Sequence, residues 1–367
     1  MRMNTSSRAA ERGFSRSFDT PRVSAWPTAR TRLAVHAGIA RATRSPRCAA
    51  ALAGAAALAA GGCGSARAPR SAGNASTASP ATRLTLHLVA ASPLPAPVQL
   101  PAVAAVSGGA LSMGGLDARE ASSSQIVRIQ GGAARPAGHL PAALHDAAAA
   151  ALGADAYYFG GGGSEGASAT ILRVSASGSA TAVGQLPAPA SDVAAAAIGQ
   201  TIYVVGGYTE VVPLRTIVAY SPAGRARVAG MLPAPLRYAA VAAVGGRLLI
   251  AGGTSGESAQ RAILEFDPQS GAVRQIGTLP APLTHAAGAA LGGRFLVFGG
   301  RGATRTSQSA AILEIDPATG ASRRAGSLPV ALSDLGAATV GNQVLLVGGR
   351  DARGDVQSQA LTYAAAG

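Results

Sequence analysis

A Leu-Pro pair recurs six times in this chain, its leucines at Leu94, Leu140, Leu186, Leu232, Leu279 and Leu328. A Gly-Gly pair begins twenty residues after each, at Gly114, Gly160, Gly206, Gly252, Gly299 and Gly348. Successive Gly-Gly pairs are 46, 46, 46, 47 and 49 residues apart. A fixed offset kept six times at that period marks six copies of one supersecondary unit, and such units become stable by burying their apolar faces on one another. Any fold for this chain must therefore be sixfold.

The interior of a unit reads as four short strands. An alanine-rich run (Asp146–Leu152, Val193–Ile198, Tyr238–Val244) passes a turn such as Gly245-Gly246 and reaches a second apolar run that ends in the di-glycine, as in Leu248 to Gly253. A variable polar loop follows. Then come a third strand such as Ala262–Phe266, an Asp-Pro-x-x-Gly turn (Asp267–Gly271, again at Asp316–Gly320), and a fourth strand, Val273–Ile276. In those turns proline presets φ and glycine supplies a left-handed residue. Alanine by itself favours helix, but six to eight residues between turns are too few for a stable one. Small side chains in that run would let six innermost strands crowd round one axis. Glycine (48) and proline (22) make up about a fifth of the 367 residues, a composition suited to many turns.

Four strands repeated six times predict an all-β fold, a six-bladed β-propeller of four-stranded antiparallel blades. An apolar run into Gly-Gly with a spaced aromatic resembles the kelch repeat, and the resemblance covers about 285 residues, nearly all of the chain after residue 82. The aromatic slot holds Ile129, Val174, Tyr220, Phe266, Ile315 and Tyr363. The tryptophan slot of the family holds Leu88, Ala134, Ala180, Ala226, Val273 and Ser322, so packing between blades is expected to rest on Leu, Val and Ala. The last unit stops after its third strand, whereas an orphan strand, Arg83–Val89, precedes the first Leu-Pro. The sixth blade is therefore expected to be completed by the N-terminal strand 83–90, which leaves no open sheet edge.

The N-terminal region reads as an address. Residues 48–62 are an apolar stretch preceded by Arg41, Arg44 and Arg47 and ended by small residues, the pattern of a secretory signal and too short to span a bilayer comfortably. The segment from Leu58 to Cys63 resembles the bacterial lipobox, with the leucine two residues earlier than in the family pattern. That resemblance implies lipidation at Cys63 and a protein held at the outer face of the cytoplasmic membrane or in the cell envelope; a secretory signal cleaved without lipidation, or an uncleaved anchor, are the other readings. The expected organisation is a presequence at 1–62, a Gly/Ala/Ser/Thr-rich tether at 63–82 and the propeller at 83–367. The only other cysteine, Cys48, lies in the apolar stretch, so disulfides and thiolate chemistry are excluded from the propeller.

The net charge of +14 invites a nucleic-acid reading, but residues 1–62 hold ten arginines against Glu11 and Asp19, a net +8 that leaves +6 for the rest. A nearly balanced body is no clamp for phosphates, and no nucleic-acid partner is expected.

Propellers usually bind at one mouth of the axial channel, and the repeat identifies the residues there. Six positions after each leucine stand Leu100, Asp146, Asp192, Tyr238, His285 and Asp334; the preceding slot includes His145 and Arg237; directly after the di-glycines come Tyr208, Arg301 and Arg350, among others. Polar residues that differ from blade to blade in equivalent slots suit an asymmetric ligand. The plainer reading has the aspartates bonding backbone amides in a turn. The candidate ligand residues are His145, Asp146, Asp192, Tyr208, Arg237, Tyr238, His285, Arg301, Asp334 and Arg350. The carboxylates and histidines lack any local metal-ligand motif, so neither a metal nor another cofactor is expected. Within the kelch resemblance, copper chemistry of the galactose oxidase type is excluded by the absent cysteine. Sialic acid mutarotases offer an enzymatic parallel, in which the pairs Glu210–Arg215 and Glu257–Arg261 would move a proton. The reading that follows is a monomeric, non-catalytic binding module for an extracytoplasmic protein or glycan. A carbohydrate-active enzyme of the mutarotase type and a structural envelope component are the alternatives.

Overall fold

The computed structural model describes residues 83–366, which form strands and loops without a helix. The presequence, Cys63 and the tether lie outside the described residues. Six antiparallel sheets form the blades of a propeller. From the inside outwards, blade 1 comprises Ala102–Val106, Gly109–Met113, Gln125–Gln130 and Ala133–His139. Blade 2 comprises Ala148–Leu152, Asp155–Phe159, Thr170–Val174 and Ala180–Gln185; blade 3, Ala194–Ile198, Thr201–Val205, Thr216–Tyr220 and Arg227–Met231. Blade 4 comprises Ala240–Val244, Arg247–Ala251, Ser258–Phe266 and Val273–Leu283; blade 5, Ala287–Leu291, Arg294–Phe298, Ser309–Ile315 and Ser322–Ser333. Blade 6 comprises Gly336–Val340, Gln343–Val347 and Gln359–Ala365, and its outer strand is the N-terminal Leu86–Pro93.

The N-terminal strand closes the ring by pairing with the last strand from Leu86↔Ala365 to Pro93↔Gln359. It lies three residues later than the alternation of residues 83–89 suggests. Its pairing runs on through Ser92 and Pro93, past a bulge between Leu88 and Ala90. The outer pairs of the other five blades also bulge, all at one level two residues from that of blade 6, for instance between Ile171 and Leu172. Each one adds local twist, which suits the propeller's shape.

The di-glycines are inter-blade clasps. In every blade the second glycine donates its N–H to a carbonyl on the segment leading into the next blade: Gly115 to Leu144, Gly161 to Ala190, Gly207 to Leu236, Gly253 to Leu283, Gly300 to Leu332, and Gly349 round to Val98, all at 2.8–2.9 Å. The first glycine has φ between 60° and 66°. A Cβ placed on it would overlap the same carbonyl oxygen. Only glycine meets both demands, a left-handed backbone and that close approach.

Nearer the axis each inner strand touches both of its neighbours, so six alanine-rich strands form a closed ring. The strand pairing across each blade and the packing between blades overrule alanine's helical preference here. The six repeat leucines are all buried, as is every residue of the aromatic slot. Packing between blades does not rest on Leu, Val and Ala alone. Aromatics from the run before the di-glycine fill the space, with Tyr158, Phe159, Phe295 and Phe298 almost fully buried, each phenylalanine contributing about 1.5–3 kcal/mol. The core forms six clusters, and those between neighbouring blades include Phe159 against Tyr220 and Tyr203 against Phe266.

The Arg323-Arg324 pair, which reads from sequence as a solvated face, is split by the structure. Arg324 is exposed, whereas Arg323 joins a buried network in which Glu314 pairs with both Arg294 and Arg323. Strand alternation sends the two neighbours to opposite faces of the blade. Among the described residues no helix is long and apolar enough to cross a membrane.

Candidate functional site

The two outer rows of candidate residues are backbone partners. The residue five positions after each repeat leucine bridges to the residue after the di-glycine of the same blade: Gln99 with Leu116, His145 with Gly162, Ser191 with Tyr208, Arg237 with Thr254, Thr284 with Arg301, and Ser333 with Arg350. The third row has an unusual backbone. Leu100, Asp146, Asp192, Tyr238, His285 and Asp334 all have φ between 53° and 62°. Their left-handed geometry turns the backbone so that blades join round the axis: the N–H of Asp192 donates to Asp146 O, Tyr238 to Asp192, His285 to Tyr238, Asp334 to His285 and Leu100 to Asp334, at 2.6–3.2 Å. Non-glycine residues held this way mark places where the surroundings outweigh local strain.

The turn-capping role open to the aspartates is therefore filled by main chain. Their carboxyls are freed for side-chain contacts. Asp192, 4% exposed, accepts from both Nε and Nη2 of Arg237 through Oδ2, each at 2.5 Å. The Arg237 guanidinium lies over the Tyr208 ring at 4.4 Å and the Tyr238 ring at 5.1 Å. Burial opposes its charge, but Asp192 outweighs that and raises its pKa. On the other side Tyr238 stacks on His285, with centroids 3.7 Å apart and planes 21° from parallel.

The protonation of His285 can be assigned from its partners. Arg301 Nη2 can only donate, so at 3.1 Å from Nε2 it requires a lone pair there. The ring proton is then on Nδ1, donating to Thr284 Oγ1 at 3.0 Å, and the Thr284 and Thr254 hydroxyls share a hydrogen bond at 2.7 Å. Burial, with Arg301, Arg237 and Arg305 nearby, lowers the His285 pKa to about 2, so the imidazole is neutral. The carboxyls shift the other way. Burial, then the charges of Asp192 and Asp334, push Asp146 well above the ordinary carboxylate range. Burial also raises Asp334, against the Ser333 hydroxyl, which donates to it at 2.5 Å, and against Arg301, Arg350 and Arg305. Both favour the neutral acid.

These groups border an axial channel with three compartments. At the mouth lies a cavity of about 480 Å³ lined by Asp146, Arg237, Tyr238, His285, Arg301, Asp334 and Arg350, together with Thr254, Thr284 and Gln308. Below it the left-handed row, including Asp192, rings a narrower space of about 130 Å³. Deeper still, alanines and valines of the inner strands line about 230 Å³. Seven of the ten candidate residues thus share the mouth cavity. Asp192 lies in the constriction, and Tyr208 supports Arg237 from behind. His145 is apart: its Nδ1 meets Ser122 Oγ at 2.9 Å, its Nε2 lies 3.7 Å from Asp146, and burial lowers its pKa against the pull of Asp192 and Glu210.

Neither acid–base couple expected from the loops forms. Arg261 instead donates to the carbonyls of Leu279 and Pro280, and Glu210 makes no ion pair with Arg215. Arg305, Gln308, Glu120 and Glu257 line the cavity without having been singled out as ligand residues. A length signal pointed to the first two. The third-strand aromatic slot lies sixteen residues after Gly299 but fourteen after Gly160, Gly206 and Gly252, so blade 5 carries a longer loop over the mouth. Among the described residues no group of three or more His, Cys, Asp or Glu is placed to share a metal ion.

A closed ring of six four-stranded blades, clasped by di-glycines and bearing a polar mouth, defines the class as a β-propeller. Residues 189–226, which run from the entry of blade 3 through its first three strands and include the di-glycine Gly206-Gly207, match the family model described as Kelch motif. The match covers one of the six repeat units, and the six-bladed ring is consistent with a kelch-repeat propeller. No curated protein matches the chain.

Proposed function

We propose that this protein is an exported, lipid-anchored binding module whose propeller holds a protein or glycan ligand at the channel mouth without transforming it. Kelch propellers commonly serve as interaction modules, although fold alone does not fix function. The observation that carries the reading is the mouth cavity of about 480 Å³, within the size range of ligand pockets and walled by convergent polar groups on a rigid ring. The anchoring part of the proposal rests on the sequence pattern ending at Cys63.

A mutarotase-like enzyme is the second reading, favoured by Asp146, His285 and arginines lining one cavity. It is the weaker one. A general base works best with a pKa near the ambient pH, and the His285 pKa is near 2 with its lone pair already engaged by Arg301.

The test is a thermal-shift screen of the full-length chain against sugars, sialic acids, divalent ions and cell-wall fragments, repeated with Asp192→Ala, Tyr238→Ala and His285→Ala. Each variant is compared with its own ligand-free midpoint. A ligand-induced shift lost in the variants supports the mouth as the binding face, and a shift retained in all three refutes it. Turnover of a bound sugar would favour the enzyme.

A further inference from the structure

Charge is unevenly compensated around the mouth cavity. Of its four arginines, Arg237 is neutralised by Asp192 and Arg350 pairs with Glu120 at 2.8 Å. The other two, Arg301 and Arg305, stand together on the long blade-5 loop, and among the described residues neither forms an ion pair. Arg301 spends one donor on His285, which holds the guanidinium in place and leaves most of its fork open. Arg305 is exposed at the rim.

An independent feature lies beside them. Gln308 lines the same cavity, and its Oε1 is a buried acceptor without a hydrogen-bond partner. Its orientation is set from the other end, because Nε2 donates to the Arg305 carbonyl at 2.7 Å and to Ser333 Oγ at 3.4 Å. A buried acceptor left unmet costs about 1–3 kcal/mol; Oε1 is closed to solvent, so a ligand donor meets it only when the Gln308 amide turns toward the cavity that the residue lines.

We propose that the Arg301–Arg305–Gln308 corner is a subsite for a hydroxylated carboxylic acid, a hexuronate-like sugar acid, with the two guanidiniums holding its carboxylate and Gln308 accepting a hydroxyl. The proposal rests on the mouth being the binding face and names the ligand class for it. Planar guanidinium forks match a carboxylate in charge and geometry. Inorganic phosphate fits less well: the second charge of its dianion faces Glu257 and Glu120 on the same cavity wall. Those two glutamates suit hydroxyl groups instead.

The experiment is isothermal titration calorimetry of the full-length chain at physiological ionic strength with galacturonate, galactose and inorganic phosphate. The variants are Arg305→Gln, Arg301→Gln and, on an outer strand away from the mouth, Arg324→Gln. Galacturonate is expected to bind about tenfold or more tighter than galactose, phosphate to bind more weakly than galacturonate, Arg305→Gln to remove most of the galacturonate advantage, and Arg324→Gln to change nothing. Arg305 is exposed, so its substitution tests charge without disturbing the fold. Equal binding of galacturonate and galactose, phosphate as tight as galacturonate, full affinity in Arg305→Gln, or no binding of galacturonate each overturns the subsite. If another compound in the thermal-shift screen still depends on Tyr238, the mouth reading survives that failure; if none does, both fall.

Discussion

The Glu314 carboxylate in blade 5 accepts the backbone N–H of Leu84 at 3.0 Å, joining two residues 230 positions apart. Arg323 completes the clasp: it pairs with Glu314 and donates to the Leu84 carbonyl at 3.1 Å. The peptide just before the N-terminal strand is thus gripped by the neighbouring blade, while the strand itself is paired within blade 6. Leu86 is buried in the cluster that joins those two blades.

Deleting residues 83–93 should therefore lower the thermal midpoint of the whole domain, because it opens the ring and exposes the edge of the last strand. Glu314→Ala should cost about 1.5–3 kcal/mol in equilibrium denaturation, since it removes charge-assisted bonds from half-buried Arg323 and from buried Arg294, which keeps Asp316 as a partner. An unchanged midpoint for the deletion would show that the ring holds without Velcro-like closure by this strand.

Two glycines in blade 3 separate backbone freedom from close approach. Gly199→Ala, with φ of 59° and open space around its Cβ position, should cost about 1–2 kcal/mol. Gly206→Ala has nearly the same φ but must also push aside the Leu236 carbonyl, so its cost should exceed that of Gly199→Ala by about 1–3 kcal/mol. Equal denaturation midpoints for the two variants would mean that the clasp adjusts freely.

The buried mouth groups give opposite pH dependences. The folded state lowers the His285 pKa from 6.5 to about 2, so the unfolded chain binds the extra proton between those values and stability falls as pH drops through that window, by up to about 1.4 kcal/mol per unit. Asp146 is raised, so the folded chain holds its proton longer; that contribution is fully present below about pH 3.8 and is lost as pH rises toward the raised value. His285→Gln should flatten the acid limb of midpoint against pH. Asp146→Asn should stabilise the protein at pH 7 and change it little at pH 3. Parallel curves for wild type and both variants would contradict these assignments.

If the proposed lipidation at Cys63 holds, Cys63→Ser should move the protein from the membrane fraction to the soluble fraction. Retention in the membrane would argue against lipidation and for an uncleaved apolar anchor.

The spacing of Leu-Pro and Gly-Gly made the blades, their number and the slots of the mouth legible, because each blade repeats the same steric problem and solves it with the same residue type. Gly349 clasping Val98 is the same solution as Gly115 clasping Leu144. The split of Arg323 from Arg324 and the aromatic packing of Phe298 against Tyr363 were less legible, since they depend on which face of one blade meets the next. Arg305 and Gln308 sit in a loop that the repeat does not constrain, and only its extra length marked it.

By itself the sequence determined a sixfold ring and the candidate positions at its mouth, through periodicity and through demands that only glycine can meet. The tertiary structure decided which of those side chains meet and in what charge state. Tyr238 and His285 are 47 residues apart in the chain, yet they stack because adjacent blades bring equivalent left-handed positions side by side. The neutral His285, the proton-holding Asp146 and the uncompensated Arg301 follow from burial and from neighbours on other blades, which appear only once the ring has closed.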